Sequence, residues 1–190
     1  MPVFGPCYAR HFPAIDWLQS YSLYSDRLRK YYDAKVAPDW SKLVGTTMEI
    51  LQEEANLNEI VRLVGIDALG FKDRITMECA RSIREDFLHQ NSFHEVDTYT
   101  SLEKQYDMLK LIITWYQKAL DLSGKHIALD RIIDMPVREQ IGRAKYIPES
   151  ERDEKLPSCS KIWISLCRSD GRGWRQCVKI IRQSGKSSAP

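Results

Sequence analysis

Apolar side chains recur every three or four residues along most of this chain, which is the spacing of an amphipathic helix. The first stripe predicts a helix over residues 16–34, with an aromatic face suited to core or interface packing. A second predicted helix starts near Pro38, and the polar run 56–59 predicts a break before a short third helix over 58–64. Gly65 is expected to close that helix, because helix ends often need a positive φ. The aromatic positions of the first stripe are Trp17, Tyr21, Tyr24 and Tyr31.

The second half of the chain continues the helical spacing. Asp73 is expected to cap a helix that ends near Gln90. Residues 100–103 have the Thr-x-x-Glu form of a capping box, which opens a long helix. Pro136 fits the first turn of a last helix that ends near Tyr146. No strand-like alternation interrupts these segments, so the pattern predicts an all-α helical bundle with short connections.

The composition is that of a globular chain, but its charge is unevenly distributed. The 190 residues are 43% hydrophobic and 28% charged, with a net charge of +2. Residues 156–190 carry seven Lys or Arg against one Asp, a local charge of +6, and residues 1–155 carry the remaining −4. We therefore expect no nucleic-acid partner for the body, and only the basic tail could attract polyanions.

The sequence also bears on the compartment. The most apolar run, residues 108–116, is interrupted by Lys110 and Thr114, so direct membrane insertion is not expected. No secretory signal is visible in the first twelve residues. The five widely spaced cysteines then read as reduced thiols, and a cytoplasmic location is expected.

Motifs for self-sufficient chemistry are incomplete in this sequence. The triplet at 185–187 matches the end of a phosphate-binding loop, but Ile180 stands where the first glycine belongs. Residues 94–98 begin like a zinc-protease signature and lack its second histidine, so no metal site is predicted. Histidines 89 and 94 flank a turn and read as capping or surface groups. Adjacent acids point about 100° apart on a helix and read as a solvated face: Glu53 with Glu54, and Glu85 with Asp86.

Four blocks of the sequence stand in a recognisable order: RHFPAIDWLQSYSLY (10–24), LNEIVRLVGIDAL (57–69), IREDFLHQNSFHEVDTYTSLEKQY (83–106) and MPVREQIGRAKY (135–146). In order and spacing they resemble the C-terminal helical domain of the catalytic A subunit of V/A-type rotary ATPases, the archaeal and bacterial ATP synthase group. The resemblance implies three parts: a remnant linker over 1–12 from a missing nucleotide-binding domain, the helical domain over 13–150, and a basic tail over 151–190.

The resemblance implies a fragment of a proton- or sodium-translocating ATP synthase that is not catalytic alone. The family's phosphate-binding loop, Mg-linked acid and catalytic glutamate lie upstream of the first block, so we expect no catalytic residue here. ATP or ADP with Mg is expected only in the complete subunit, and no cofactor is expected for this chain alone. The chain would be a truncated or split gene product, or an excised domain. Its implied partners are the B subunit and the central stalk, at the periphery of the membrane.

Two groups of residues carry over from the family. Phe87 and Phe93 match aromatic positions that line the adenine pocket, where ring faces stack on a purine. The loop after Gly65 matches the segment that presses on the central stalk, although Gly70 stands where the family commonly has proline. Ordinary core packing of the two rings, and a plain connector for the loop, are the alternatives. The implied stalk-contact residues are Asp67, Ala68, Leu69, Gly70, Phe71, Lys72 and Asp73.

Two other functions remain open at this point. The chain could be a free-standing helical adaptor that binds another protein through its aromatic faces. It could also be a polyanion binder driven by the tail, with an affinity that falls steeply with salt. The tail from Leu156 departs from the family, reads as a frame-shifted or acquired peptide, and is expected to be at most weakly structured.

Overall fold

The computed structural model describes residues 13–122, 129–134 and 136–156, and all regular structure in these ranges is helical. The all-α prediction is therefore confirmed for the described part, whereas the predictions for residues 1–12 and 157–190 lie outside it. Three 3₁₀ turns, Ile66–Ala68, Ala144–Tyr146 and Glu149–Glu151, and a π-helix, Ile83–Leu88, complete the helical segments. The α-helices are α1 Ser25–Lys35, α2 Trp40–Val64, α3 Phe71–Ser82, α4 Leu102–Asp121, α5 Leu129–Ile133, α6 Pro136–Arg143 and α7 Arg152–Lys155.

The core lies where α2, α3 and α4 meet. α2 and α3, which are consecutive in the sequence, pack against each other, and α4 packs against both of them. α6 packs against α4 and against the π-helix that continues α3. Burying each large aliphatic side chain contributes about 1.5–3 kcal/mol, so the residues buried here stabilise the fold strongly. The largest fully buried apolar side chains are Leu51, Ile75, Cys79, Leu109, Ile112 and Trp115 of these three helices, with Ile83 of the π-helix and Ile132 of α5.

The segment before α1 corrects the first helix prediction. The predicted helix over 16–34 begins only at Ser25. The Asp16 carboxylate accepts the backbone N–H groups of Leu18 and Gln19, each at 3.1 Å. These are N-cap bonds, and with the Ser20 N–H donating to the Asp16 carbonyl oxygen at 2.8 Å they close one isolated turn that does not continue into α1. Of the aromatic stripe, Trp17 packs against the core, whereas Tyr21, Tyr24 and Tyr31 are exposed.

The predicted break within the second helix is wrong. α2 runs for 25 residues without interruption. Leu57 is buried in the middle of the polar run, so the apolar stripe of the helix continues through it. An asparagine costs a helix at most about 0.7 kcal/mol relative to alanine, which is less than the burial of one leucine gains. The helix ends at Gly65, whose φ of 87° confirms the predicted glycine stop.

The beginning and end of α3 also differ from the prediction. The N-cap is Gly70, and Asp73 lies within the first turn. There its negative carboxylate still interacts favourably with the positive end of the helix dipole. The helix continues through the π-helix to Leu88, two residues short of the predicted end. The backbone N–H of His89 donates to the carbonyl oxygen of Arg84, five residues back, at 2.8 Å.

The start of α4 uses a distant carboxylate. Ser101, rather than Thr100, is the N-cap, and its Oγ accepts the N–H of Lys104 at 3.1 Å. The Glu149 carboxylate accepts the Ser101 N–H at 2.9 Å and the Ser101 hydroxyl at 3.0 Å. Glu149 therefore takes the place that Glu103 has in the predicted capping box.

Candidate functional site

A pocket of about 350 Å³ opens between the π-helix, the turn that follows it and the start of α4. This volume falls within the range of about 300–1,000 Å³ that is common for small-molecule sites. The pocket is lined by both apolar and polar residues. They include Phe87, Leu88 and Met108 among the apolar ones, and Gln90, Asp97 and Lys145 among the polar ones.

The two predicted adenine-pocket phenylalanines occupy different positions. Phe87 is half-buried, packs against the edge of the core and lines the pocket. Phe93 is 96% exposed and is not among the pocket-lining residues. The exposure of Phe93 rules out ordinary core packing for this ring, whereas Phe87 both packs against the core and faces the pocket. The assignment of either ring to adenine stays a prediction.

The turn over residues 89–100, which carries Phe93, is held by its own side chains. The Gln90 amide donates to the carbonyl oxygens of Asp97 at 2.7 Å and Thr98 at 3.2 Å. The Asp97 carboxylate accepts the N–H of Asn91 at 2.7 Å. The Thr98 hydroxyl donates to the carbonyl oxygen of His94 at 2.7 Å. The backbone that presents Phe93 is therefore fixed at both ends of the turn.

His94 caps the same turn, which is one of the two roles, capping or surface, that were predicted for it. Its Nδ1 accepts the backbone N–H groups of Val96 at 3.2 Å and Asp97 at 3.4 Å. Its ring lies against that of Tyr146, with centroids 4.7 Å apart. Through this contact the turn is joined to the segment that follows α6.

A bidentate ion pair fixes the π-helix to α2. Arg84 Nη2 lies 2.7 Å from Glu54 Oε1, and Arg84 Nε lies 3.1 Å from Glu54 Oε2. The prediction of a solvated face is wrong for Glu54, which is buried, and right for Glu53, which is exposed. Parallel charge-assisted bonds of this kind fix orientation as well as distance.

A second polar cluster joins the π-helix to α6. The Ser82 hydroxyl donates to Asp86 Oδ2 at 2.7 Å, and Arg138 Nη1 lies 2.7 Å from the Ser82 oxygen and 3.2 Å from Asp86 Oδ2. The Arg138 guanidinium also lies over the Trp115 ring, 5.2 Å from its centroid. A Cβ at Gly142 would lie 3.2 Å from Asp86 Oδ1, so this glycine permits the close approach. Asp86 is thus paired rather than solvated as predicted.

Two buried lysines complete the arrangement, and sequence reasoning missed both. Lys145 Nζ donates to the carbonyl oxygens of Glu85 at 2.9 Å and His89 at 3.4 Å. Lys104 is fully buried, and its Nζ donates to the carbonyl oxygens of Lys145 at 3.0 Å and Ile147 at 2.7 Å. Burial lowers the pKa of Lys104, while nearby carboxylates oppose this shift. The position of Lys104 four residues before buried Met108, on the inner face of α4, was the available signal.

The predicted stalk-contact loop divides into an exposed part and an anchored part. Asp67, Ala68, Gly70 and Lys72 are exposed, and a 3₁₀ turn lies at the start of the loop. The other three residues are less accessible: Leu69 is buried, Phe71 packs against the core, and Asp73 is half-buried. The loop is accessible at its tip and fixed at its base.

Next to this loop lies an apolar patch, of which the predicted loop after Gly65 included only Ile66. It is formed by the last turns of α2 and the first residue of the 3₁₀ turn. Leu63 is 85% exposed at its centre. We call it the tip patch, made of Ile60, Leu63, Val64 and Ile66.

In residues 13–122, 129–134 and 136–156 no group of three or more His, Cys, Asp or Glu side chains is placed to hold a metal ion. Within the same ranges, every helix is too short or too polar to cross a lipid bilayer.

Comparison with known proteins identifies the family. Residues 29–129 match the family described as the C-terminal domain of V and A type ATP synthase. The match extends over more than half of the chain, and the chain belongs to this family. The resemblance inferred from the four sequence blocks is thereby confirmed.

Several related proteins share the name V-type ATP synthase alpha chain. The chain is 61% identical over 144 residues to the V-type ATP synthase alpha chain of Thermoanaerobacter pseudethanolicus, and 58% identical over 144 residues to that of Acetivibrio thermocellus. It is 57% identical over 142 residues to that of Clostridium botulinum strain Langeland. These alignments cover 75–76% of this chain and 24% of each relative. The chain therefore spans about a quarter of the length of the curated relatives it matches.

Proposed function

We propose that this chain is part of the alpha chain of a V/A-type ATP synthase and forms one wall of its adenine pocket. The observation that carries the proposal is Phe93, a large apolar ring that is 96% exposed on a turn fixed by internal hydrogen bonds. An exposed apolar ring on an ordered backbone is suited to a ligand or partner that covers it. The face of a purine is such a cover, and stacking contributes about 1–3 kcal/mol per base.

The chain's own contribution to the reaction would be binding and orientation. Phe87 and Phe93 would contact the base, while the phosphates, Mg²⁺ and the attacking water would be held by the remainder of the alpha chain. Residues 13–150 would act as the helical domain of that subunit, which would assemble with the B subunit and the central stalk at the membrane periphery. Proton or sodium translocation would belong to the whole complex.

The second part of the proposal is contact with the central stalk through residues 67–73 and the tip patch. α3 and the π-helix form one continuous helical segment from Phe71 to Leu88. At about 1.5 Å per residue, its ends lie roughly 25 Å apart. The loop at one end and Phe87 near the other would thus move together when the domain rotates, as in hinge and shear motions.

The adenine contact can be tested in a chimaera. Residues 13–150 would replace the corresponding part of the Acetivibrio thermocellus alpha chain, and ATP affinity would be measured by fluorescence or calorimetry. Phe93→Ala should weaken ATP binding about 5- to 150-fold, which corresponds to the loss of one stacked ring. Phe93→Tyr should retain the affinity, and Leu63→Ala is the matched control at the other end of the domain. Equal affinities for Phe93→Ala and the parent chimaera would contradict the assignment.

The stalk contact can be tested in the same chimaera after assembly. Leu63→Gln should weaken binding of the purified stalk at least tenfold, because polar substitution removes a central apolar contact. Thermal unfolding should be unchanged, since Leu63 is 85% exposed and buries little in the chain itself. Val44→Gln is the control, because Val44 is also an exposed α2 residue but lies nearer the other helix end. The stalk proposal fails if both variants bind the stalk equally well.

A further inference from the structure

We propose that Lys145 is a positioning residue for the adenine site, because its ammonium holds the backbone on both sides of Phe87. The inference rests on the proposed role of Phe87 and Phe93. Lys145 Nζ bridges the carbonyl oxygens of Glu85, two residues before Phe87, and His89, two residues after it. One buried cation therefore fixes the segment that carries the pocket-lining ring.

The placement of this ammonium follows from the helix end. The last carbonyl groups of a helix lack intrahelical partners and carry a partial negative charge. The π-helix ends at Leu88, so the His89 carbonyl oxygen lies just beyond it. A lysine that donates to such carbonyls fixes the direction in which the chain leaves the helix. Here that direction sets where the Phe93 turn begins relative to Phe87.

Lys104 fixes the backbone from which Lys145 extends. Its fully buried ammonium donates to the carbonyl oxygens of Lys145 and Ile147, at 3.0 and 2.7 Å. The neighbouring Tyr146 ring contacts His94 in the Phe93 turn. Residues 145–147 thus contact both the π-helix end and the Phe93 turn, and they are themselves anchored to the first turn of α4.

Two ion pairs attach side chains of the π-helix to neighbouring helices: Arg84 pairs with Glu54 of α2, and Asp86 pairs with Arg138 of α6. Lys145 differs from both because it acts on backbone carbonyls at the point where the chain turns toward Phe93. Its loss should therefore change the geometry between the two rings more than it changes the packing of α2 and α3.

The first experiment measures backbone order in the 190-residue chain by amide hydrogen exchange. Lys145→Met keeps the bulk and removes the charge, and it should accelerate exchange over residues 86–98 by about tenfold or more. Exchange over 43–57 of α2 should not change. Lys145→Arg should restore protection, and Lys42→Met is the control at an exposed lysine. Lys145→Gln makes the same comparison should the Met variant destabilise the whole fold. Unchanged exchange over 86–98 in both neutral variants would overturn the proposal.

The second experiment measures ATP affinity and turnover in the chimaera. Lys145→Met should weaken ATP binding about tenfold and leave the rate at saturating ATP within about twofold, because the residue positions the base and not the phosphates. In a background with Phe87→Ala and Phe93→Ala, the same change should have no further effect on affinity. An equal loss in that background would show general damage and overturn the inference.

The two proposals fail in different ways. If the double alanine variant binds ATP as well as the parent chimaera, the adenine assignment itself is wrong. If the double variant binds ATP weakly but Lys145→Met binds it normally, only the positioning role is wrong.

Discussion

In the part of the chain that the structure describes, each buried charged side chain has a specific partner. Glu54 meets Arg84 through two parallel bonds, and the ammonium of Lys104 meets two carbonyl oxygens. A buried charge without such partners costs several kcal/mol, so each partner is needed for the other to remain folded in place. Removing one member of a pair should therefore be far more damaging than removing an exposed charge of the same type.

Glu54→Ala should lower the free energy of unfolding by about 2 kcal/mol, less than the 3–5 kcal/mol of a fully buried pair. The reduction is expected because the Arg84 side chain is 35% exposed and can reach water. Urea denaturation of the full chain measures the change. Glu53→Ala, at the exposed neighbouring position, should stay within about 0.5 kcal/mol of the parent. Similar effects for the two alanine variants would show that the pair contributes little.

Asp39 gives the chain a pH-dependent contribution to stability. The Tyr106 hydroxyl donates to Asp39 Oδ1 at 2.7 Å and lowers the pKa of this carboxyl. A lowered pKa in the folded state stabilises the protein above the unfolded pKa of about 3.9, and this stabilisation is lost as the pH falls through the folded value. Asp39→Asn should therefore cost about 0.5 kcal/mol at pH 7, because the Asp39 side chain is half-exposed and solvent weakens its interactions. The difference should shrink as the pH falls from 7 through the folded pKa, and a difference that does not change with pH would contradict this account.

Cys79 should be chemically silent in the folded chain. The residue is fully buried at the α2–α3–α4 junction, and burial raises the pKa of its thiol. Both effects suppress the reactive thiolate. Iodoacetamide at pH 8 should leave the Cys79 peptide unmodified in buffer and alkylate it fully in denaturing urea, as read by mass spectrometry. Equal labelling in the two conditions would show that the junction opens readily.

Two exposed glycines, one inside α2 and one at its C-cap, should respond to substitution by alanine with opposite changes in stability. Gly65 has a φ of 87° and Gly45 lies inside α2, and a Cβ at either would meet nothing within 4 Å. Gly65→Ala should destabilise the chain by about 1–2 kcal/mol, because the strain is in the backbone. Gly45→Ala should stabilise it by about 0.5–1 kcal/mol through helix propensity. Thermal unfolding of both variants measures the pair of shifts, and a shift in the same direction for both would refute the backbone argument.

At the scale of elements, periodicity is enough to predict an all-helical chain and its glycine stop. It fails where a distant contact decides the outcome. Glu149 completes the cap of α4 from 48 residues away, and burial of Leu57 carries α2 through the polar run. The late start of α1 is a different failure, because residues 17–19 form a separate turn that the apolar spacing does not distinguish from the helix after it. Glu149 lies far outside a window of one helix turn around Ser101.

The candidate site shows the same division. The family resemblance points to Phe87 and Phe93, and aromatic residue type explains why they suit a purine. Periodicity alone could have predicted that Glu54 and Lys104 are buried, because both fall on the apolar faces of their helices. The bonds of Lys145 to Glu85 and His89 join residues 56–60 apart in sequence, and only the fold brings them together.

At the scale of the whole molecule, the proposed contacts lie toward opposite ends of one helical segment. Residues 67–70 of the proposed stalk-contact segment precede α3, residues 71–73 form its first turn, and Phe87 lies in the π-helix that continues α3. The Arg84–Glu54 pair joins this segment to α2 shortly before Phe87. A displacement of the loop would therefore be carried to the pocket by packed helices, which deform less readily than loops.

The isolated chain should bind ATP only weakly, with a Kd above about 1 mM. Stacking on one ring contributes about 1–3 kcal/mol, whereas association costs roughly 4–15 kcal/mol in lost freedom of motion. A Kd of 1 mM corresponds to a binding free energy of about −4.1 kcal/mol. Stacking on the aromatic side chains of this chain alone does not supply that free energy. Titration of the 190-residue chain with ATP by calorimetry tests this, with Phe93→Ala as the control. Micromolar binding that Phe93→Ala abolishes would mean that this chain forms a complete adenine site by itself, and that the remainder of the alpha chain is not needed to hold the base.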